Sequence, residues 1–246
     1  MLFFRKKNTD TAPAADLLAF MHTDIHSHLL PGVDDGVPDL ATSLHFIEQL
    51  REMGIQKIIT TPHIMMDRYP NSVNTMAAPY LAVKAALAQQ NMSIPFHHAA
   101  EYYLDEQFEA LMTSPLLTLD GQMVLVEISF MSAPPQLHQW LFDISALGYT
   151  PLLAHPERYS YCHKNFELYQ QFKQWGCKFQ VNLLSLTGYY GKHIQLAAEK
   201  LIELEMIDFI GTDLHHEKHL RAITDIGKNK KLRQVLENYP FGNAAL

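Results

Sequence analysis

The stretch Leu137-His-Gln-Trp-Leu-Phe-Asp-Ile-Ser-Ala-Leu-Gly148-Tyr-Thr-Pro-Leu-Leu-Ala-His-Pro-Glu-Arg158 sets the reading of the whole chain. Leu137, Leu141, Ile144 and Leu147 recur at helical spacing, and Gly148 ends the run as a C-terminal stop. Thr150 to Ala154 is then a short apolar strand, closed by His155, Pro156, Glu157 and Arg158. A helix feeds a strand, and the strand delivers polar, chemically able side chains at its C-terminal end.

The same unit repeats in both directions. Towards the N-terminus, Thr23 to His26 is a strand and Asp39 to Met53 a helix, with Leu40, Leu44, Ile47 and Leu50 on one face and Gly54 after it. Ile55 to Thr60 is a strand, a helix runs near Thr75 to Gln90, and Pro95 to Ala100 is the third strand. Leu104 to Met112 is a short helix, and Met123 to Ile128 the fourth strand. Towards the C-terminus, Phe166 to Trp175 is helical, Cys177 to Leu183 a strand, and Ile194 to Glu205 helical. Ile207 to Gly211 is the seventh strand, and a last helix covers about Ile223 to Asn238. Seven βα repeats predict a parallel α/β sheet, closed into a TIM-like barrel at this length. A doubly wound open sheet is the alternative; no Gly-rich nucleotide loop follows the first strand to favour it.

The residues after each strand carry the chemistry. They are His26 and His28, then His63, Glu101, Glu127, His155, Asn182, and finally Asp213 and His215. The C-terminal ends of barrel strands share one face, so these side chains converge. In an extended strand, residues i and i+2 point the same way, so His26 and His28 form a grip, as do Asp213 and His215. Each pair alone reads equally well as two surface side chains, and a lone Glu or His at a strand end is more often a solvated or structural residue; the conjunction at six strand ends predicts a metal centre. Imidazole and carboxylate without thiolate suit Zn, Mn or Fe. Carboxylates crowded in one pocket repel unless cations hold them, which favours several ions.

Composition narrows the function classes. The 246 residues are 48% hydrophobic, enough for one full-sized core. We expect a single domain over residues 21–246 behind an N-terminal arm over residues 1–20. The net charge of -7 and the lack of a basic stripe argue against a nucleic-acid partner. No apolar run is long enough to span a bilayer, and the order Leu2-Phe-Phe-Arg-Lys-Lys7 is the reverse of a secretory signal. Arg5, Lys6 and Lys7 offer a weak patch for an anionic membrane surface. Two cysteines, Cys162 and Cys177, make no disulfide framework, which fits a cytoplasmic setting, peripheral to the inner membrane at most. Neither heads a Cys-x5-Arg loop, because Leu168 and Leu183 stand where the arginine is needed.

The run Asp24-Ile-His-Ser-His-Leu-Leu-Pro-Gly-Val-Asp-Asp-Gly36 resembles the opening motif of the PHP (polymerase and histidinol phosphatase) superfamily, and more closely the capsule-operon tyrosine phosphatases of the CpsB/YwqE type. Thr60-Thr-Pro-His63, Ala100-Glu-Tyr-Tyr103, Val126-Glu-Ile128, Ala154-His-Pro-Glu-Arg158, Gln180-Val-Asn182 and Thr212-Asp-Leu-His215 continue the match over about residues 22–240. The resemblance implies a distorted (β/α)7 barrel, the PHP fold, with three divalent ions; manganese leads, with iron or zinc as alternatives. It implies that His26, His28, Glu101 and Asp213 hold the first ion. Glu101 bridges to a second with Glu127 and His155, and Asp35, His63 and His215 hold the third. Asp34 is the less favoured member of the Asp34–Asp35 pair. Arg158 is expected to bind substrate phosphate, with Arg221 as a second candidate.

The function implied is hydrolysis of phosphotyrosine by metal-activated hydroxide, with His63 or His215 as candidate general acids. The partner implied is a tyrosine kinase of polysaccharide biosynthesis or export, through its Tyr-rich tail. A small-molecule phosphomonoesterase of the histidinol-phosphate kind and a non-catalytic metal-stabilised binding protein are the rivals. Tyr189 and Tyr190, between Gly188 and Gly191, are candidates to stack on a phosphotyrosine ring, as are Tyr102 and Tyr103. Met65, Met66, Arg68 and Tyr69 are expected in a loop over the pocket. Oligomeric state is left open.

Overall fold

Strands rich in Ile, Val and Leu pair in parallel with their neighbours in chain order, and amphipathic helices cover them. The computed structural model describes residues 15–246; the basic patch at Arg5, Lys6 and Lys7 lies outside the described residues. The elements are β1 (Thr23–Asp24), α1 (Leu40–Glu52), β2 (Lys57–Thr60), β3 (His63–Ile64), α2 (Val73–Gln89), β4 (Phe96–His98), β5 (Glu101–Tyr103), α3 (Phe108–Leu111) and β6 (Met123–Glu127). There follow α4 (Leu137–Ala146), β7 (Thr150–Ala154), α5 (Glu167–Gln174), β8 (Lys178–Asn182), α6 (Lys192–Glu203), β9 (Phe209–Gly211), α7 (Glu217–Asp225) and α8 (Lys230–Asn238).

Hydrogen bonding groups the strands as β1-β2-β4 and β3-β5-β6-β7-β8-β9. Both groups belong to one barrel wall: β2 and β3 are the lower and upper parts of one strand position, β4 and β5 those of the next, and β6 to β9 run through both levels. Pro62 separates β2 from β3 because it has no N–H to give to a ladder. The wall continues across it: Ala99 N donates to Thr60 O at 2.9 Å, and Glu101 N to Pro62 O at 3.0 Å. The ring closes where Asp213 N donates to His26 O (2.7 Å) and His28 N to Leu214 O (3.0 Å), beside a parallel bridge from Ser27 to Leu214. Seven strand positions result, as the βα count implies, and the closed ring excludes the open sheet.

Alternation along each strand sorts the core. In β6, Val124 and Val126 pack with the helices, while Met123 and Leu125 join Ile59, Ala99, Leu152 and Phe209 in a separate apolar cluster inside the barrel. Glu127 continues that inward row. Helix starts are capped: Asp39 Oδ1 accepts from Thr42 N (2.8 Å), and Ser72 and Thr75 form a reciprocal capping box on α2.

Three boundaries differ from expectation. Leu17 and Leu18, expected in the arm, are buried, and Leu18 N donates to Met53 O at 2.6 Å. The helix expected over Leu104 to Met112 shrinks to one turn, since Asp105 caps Gln107 and Phe108 and delays its start. The last helix begins earlier and breaks in two around a 3-10 turn at Ile226–Lys228 that contains Gly227; Asn229 then caps α8 by accepting from Leu232 N.

Candidate metal centre

The ends of six strand positions place the cluster, two residues each from the ends of β1 and β9, while β8 supplies none and Asp35 comes from the loop after β1; local backbone aims them. His155 and Asp213 both leave their strands in the left-handed region, at φ 34° and 50°. For His155 that geometry is costly, and it turns the side chain inward at the barrel mouth. The loop that carries Asp34 and Asp35 must cross close over His28. A Cβ at Gly36 would lie 2.3 Å from His28 O, and one at Gly211 would lie 2.6 Å from His26 Cβ, so only glycine fits at either position.

The donors form four overlapping groups: His26, His28 and Asp213; His26, Glu101 and His155; His63, Glu101 and Glu127; and His28, Asp35, His63 and His215, and their separations fall into three clusters of distances. His26, His28 and Asp213 are one: His26 Nε2 lies 3.3 Å and His28 Nε2 3.5 Å from Asp213 Oδ1, and both face Glu101 Oε2 at 3.2 and 3.4 Å. Second, His155 Nε2 lies 3.2 Å from Glu101 Oε1 and 3.5 Å from Glu127 Oε1. The third is looser: His63 Nε2 and His215 Nε2 each lie 3.7 Å from Asp35 Oδ1, whose side chain is 50% exposed. His63 also reaches back, with Nδ1 3.2 Å from Glu101 Oε2. Nitrogen and oxygen ligands sit about 2.0–2.2 Å from an ion such as Zn, so donors around one ion are about 3–3.5 Å apart, the spacing of the first two clusters.

Hydrogen bonds on the far side of the rings set which nitrogen faces inward. His26 Nδ1 meets Gln180 Oε1 at 2.6 Å, His28 Nδ1 meets Asp34 Oδ2 at 2.8 Å, and His215 Nδ1 meets Asp213 O at 2.9 Å. With a proton on each Nδ1, the Nε2 lone pairs are left for an ion. Asp34 thus orients His28, and also accepts from Gly36 N and His63 N. Asp213 is held by Asn182 Nδ2 (2.6 Å) and Arg158 Nη1 (3.2 Å).

The electrostatics favour bound cations. Glu101 is buried, yet neither of its oxygens receives a hydrogen bond among the described residues. Burial works against its charge, but the His26 and His63 rings beside it hold it well below the usual range. Asp213 behaves alike: burial opposes its charge, and His26 and His215 overcome it. Glu127 goes the other way, pushed well above its ordinary value by burial and by the Glu101 charge. Burial, then Arg158, lowers His155 to about 4; burial, then His28, lowers His215 to about 4. Burial opposes charge on His26 and His28 as well, but Glu101 and Asp213 raise the first and Asp34 and Asp213 the second. A buried carboxylate without hydrogen-bond donors, a second that resists ionisation beside it, and imidazoles that burial keeps neutral at His155 and His215 together form a donor set suited to divalent ions.

A cavity of ≈ 540 Å³ opens on the cluster and is lined by Asp35, His63, Glu101, Glu127, His155, Arg158, Asp213 and His215. The structure thus brings together every expected ligand. Two expected substrate residues stand elsewhere. Arg221 is 76% exposed on α7 and ion-paired to Glu217, because helical spacing turns it away from the mouth. Tyr189 is not in the lining either; its neighbour Tyr190 is. The Arg158 guanidinium lies between Tyr190 and Phe130, 4.7 and 4.9 Å from the ring centres. Tyr103 also lines the cavity, whereas Tyr102 is buried, its hydroxyl accepting from Leu117 N. Met65, Arg68 and Tyr69 line it as expected, and Met66 packs on the core instead. Sequence reasoning gave no role to Phe130, to Gln180, which it quoted only within a motif, or to His219. Gln180 sits two residues before Asn182 on the same strand face, and His219 one helical turn after His215; those spacings are the signals that were available.

A family model described as capsular polysaccharide synthesis, CpsB/CapC, matches residues 22–231. The tyrosine-protein phosphatase YwqE of Bacillus subtilis (strain 168) is 30% identical over 197 residues, covering 79% of this chain and 78% of that protein. A putative tyrosine-protein phosphatase, CapC, of Staphylococcus aureus is 24% identical over 222 residues, 88% of this chain and 87% of that one. Among solved structures, one from work on YwqE of Bacillus subtilis and CpsB of Streptococcus pneumoniae, described there as unique metal-dependent tyrosine phosphatases, is similar with a TM-score of 0.75. It shares 26% identity, over 89% of this chain and 96% of that one.

Proposed function

Because the chain belongs to the CpsB/CapC family of capsular polysaccharide synthesis, we propose that it is a metal-dependent phosphatase that hydrolyses phosphotyrosine on a protein. Glu101 is the observation that carries this reading: a buried carboxylate with no hydrogen-bond donor, ringed by four imidazoles. His26, His28, Glu101 and Asp213 would hold one divalent ion, Glu101, Glu127 and His155 a second, and Asp35, His63 and His215 a third, with manganese the leading candidate. When bound, such ions offset the charge of a phosphate dianion and bring the pKa of water towards neutrality.

The chain's own residues do the rest. Arg158, fixed by Asp213 and by two ring faces, presents its remaining N–H groups to the phosphate oxygens. Burial lowers the pKa of both His63 and His215, so each offers a lone pair at neutral pH and is a ligand before it is a general acid. A phenoxide leaving group, whose conjugate acid has a pKa of about 10, leaves without strong acid assistance. The partner is the Tyr-rich tail of a tyrosine kinase of polysaccharide export, met in the cytoplasm; no helix of the described residues is long and apolar enough to cross a membrane.

Purified protein stripped with a chelator is to be assayed on a phosphotyrosine peptide and on histidinol phosphate, then reloaded with Mn, Fe or Zn and analysed for metal content. We expect peptide turnover that follows metal content and exceeds that on histidinol phosphate. Full turnover by the metal-free protein would overturn the scheme.

A further inference from the structure

Arg68 lines the cavity, and the phosphate chemistry above does not use it. Among the lining residues only Arg158 and Arg68 carry permanent positive charge. Their situations are opposite. Arg158 is largely buried, bonded to Asp213 and held between two rings. Arg68 is exposed and has no ion pair among the described residues; its guanidinium lies 5.4 Å from the centre of the Tyr69 ring.

The backbone under Arg68 is fixed. Met65 and Tyr69 exchange hydrogen bonds, N to O at 3.0 and 2.7 Å, closing a tight hairpin with Arg68 at its turn. Asn71 Nδ2 pins the base of that hairpin to Val33 O and His63 O, each at 2.9 Å. Gln107 Nε2 holds Asp67 Oδ1 at 2.5 Å, and the Tyr69 ring stacks on His63 at 5.6 Å, 12° from parallel. The hairpin therefore sets a guanidinium at the cavity, on the His63 side of the ligand cluster.

We propose that Arg68 reads the sequence around the phosphotyrosine: it pairs with a carboxylate side chain of the substrate peptide, a residue or two from the phosphotyrosine, and so gives the enzyme a preference for acidic flanks. This rests on the phosphotyrosine reading and adds to it. A planar guanidinium with no ion pair among the described residues offers a two-pronged contact to a carboxylate, and the adjoining Asp67 is engaged by Gln107 instead. The cavity, at ≈ 540 Å³, has room beyond a phenyl phosphate for adjoining side chains. Exposure keeps the pair modest: about a three- to fivefold preference, shrinking as salt is raised.

The test compares kcat/KM of the metal-loaded enzyme on three phosphotyrosine peptides that differ only in carrying Glu, Gln or Lys at the flanks, with p-nitrophenyl phosphate as a substrate without flanks. The wild type should rank Glu above Gln above Lys. Arg68→Ala should bring the three together, Arg68→Lys should keep part of the ranking, and Arg68→Glu should invert it. An unchanged ranking in Arg68→Ala overturns the proposal. So does an equal loss on all peptides and on p-nitrophenyl phosphate, which would place Arg68 on the transferred phosphate. A wild type that turns over p-nitrophenyl phosphate and all three peptides equally overturns it too, and leaves the phosphatase reading standing. A metal-loaded wild type inert on every substrate overturns both.

Discussion

The inside of the barrel has two storeys built on the same strands. The lower one is hydrocarbon: Ile59, Ala99, Met123, Leu125, Leu152 and Phe209 fill it and exclude water. The upper one, a single strand residue or two further on, is charged: Glu101 stands two residues after Ala99, Glu127 two after Leu125, and Asp213 four after Phe209. Alternation keeps these positions on one face, so the change from apolar to acidic happens along a row and not between rows. The lower storey stabilises the fold by leaving water. The upper one gathers like charges in a buried space, and the imidazoles offset them only in part, as the raised pKa of Glu127 shows. The two storeys should therefore answer differently to substitution, and that difference can be broken or sharpened by experiment.

The largest effect belongs above. Glu101→Gln keeps the shape and removes the carboxylate that touches His26, His28, His63 and His155. We expect turnover to fall by more than about a hundredfold, beyond what loss of a supporting hydrogen bond does, with metal content falling alongside. Full turnover with normal metal content in this variant would erase the distinction between the storeys. Below, Leu125→Ala leaves a cavity in the apolar cluster and should cost about 2–5 kcal/mol in urea unfolding, while the folded variant retains its metal affinity. A loss of affinity as large as that of Glu101→Gln would show that the lower storey positions the ligands directly.

Gln180 stands where the two storeys meet. It accepts from His26 Nδ1 through Oε1, and its Nε2 donates to Val181 O (2.7 Å) and Asn182 Oδ1 (3.0 Å); Asn182 in turn donates to Asp213. One amide thus orients two members of the first ligand group. Gln180→Leu should weaken metal binding about ten- to a hundredfold, measured by competition with a chelator. Gln180→Glu keeps an acceptor facing His26 and should recover part of the loss. Equal affinity in the wild type and Gln180→Leu would assign the orientation of His26 to packing alone.

Much of this contrast was legible in the sequence. Helical spacing with a glycine stop, followed by a short apolar strand, repeats often enough to count seven units, and the count implies a closed ring. Eight of the nine expected ligands were legible because they stand at or just after strand ends; Asp35, in the loop between β1 and α1, came from the family resemblance alone. The side chains that aim them were harder to see: Gln180 and Asp34 act through hydrogen bonds to residues far along the chain, and residue type alone does not mark such a role. Arg221 and Tyr189 were misplaced for a related reason. Position in the chain brings a residue near the mouth, but the phase of a helix or a turn decides whether it looks in. One residue of rotation separates Tyr189 from Tyr190, and in α7 the buried stripe of Leu220 and Ile223, continued by Ile226 at its end, puts Arg221 on the outer face.

The smallest effect concerns the two thiols, and it bears on which storey does the chemistry. Cys162 and Cys177 are both buried in the shell between barrel and helices, and burial pushes each thiol up to about 12. At pH 8 a thiol of that pKa is about one part in 10⁴ thiolate, too little to act as a nucleophile. Neither cysteine lines the cavity. Iodoacetamide at pH 8 should therefore leave the native enzyme unmodified, and Cys162→Ala and Cys177→Ala should each keep turnover within about twofold, with a stability cost of about 1 kcal/mol from lost packing. Because the thiols are protonated well above neutrality, the turnover of these variants should track the wild type across pH 6 to 9. A divergence that opens as pH rises would mean that a thiolate takes part, and would move the reaction out of the acidic storey altogether.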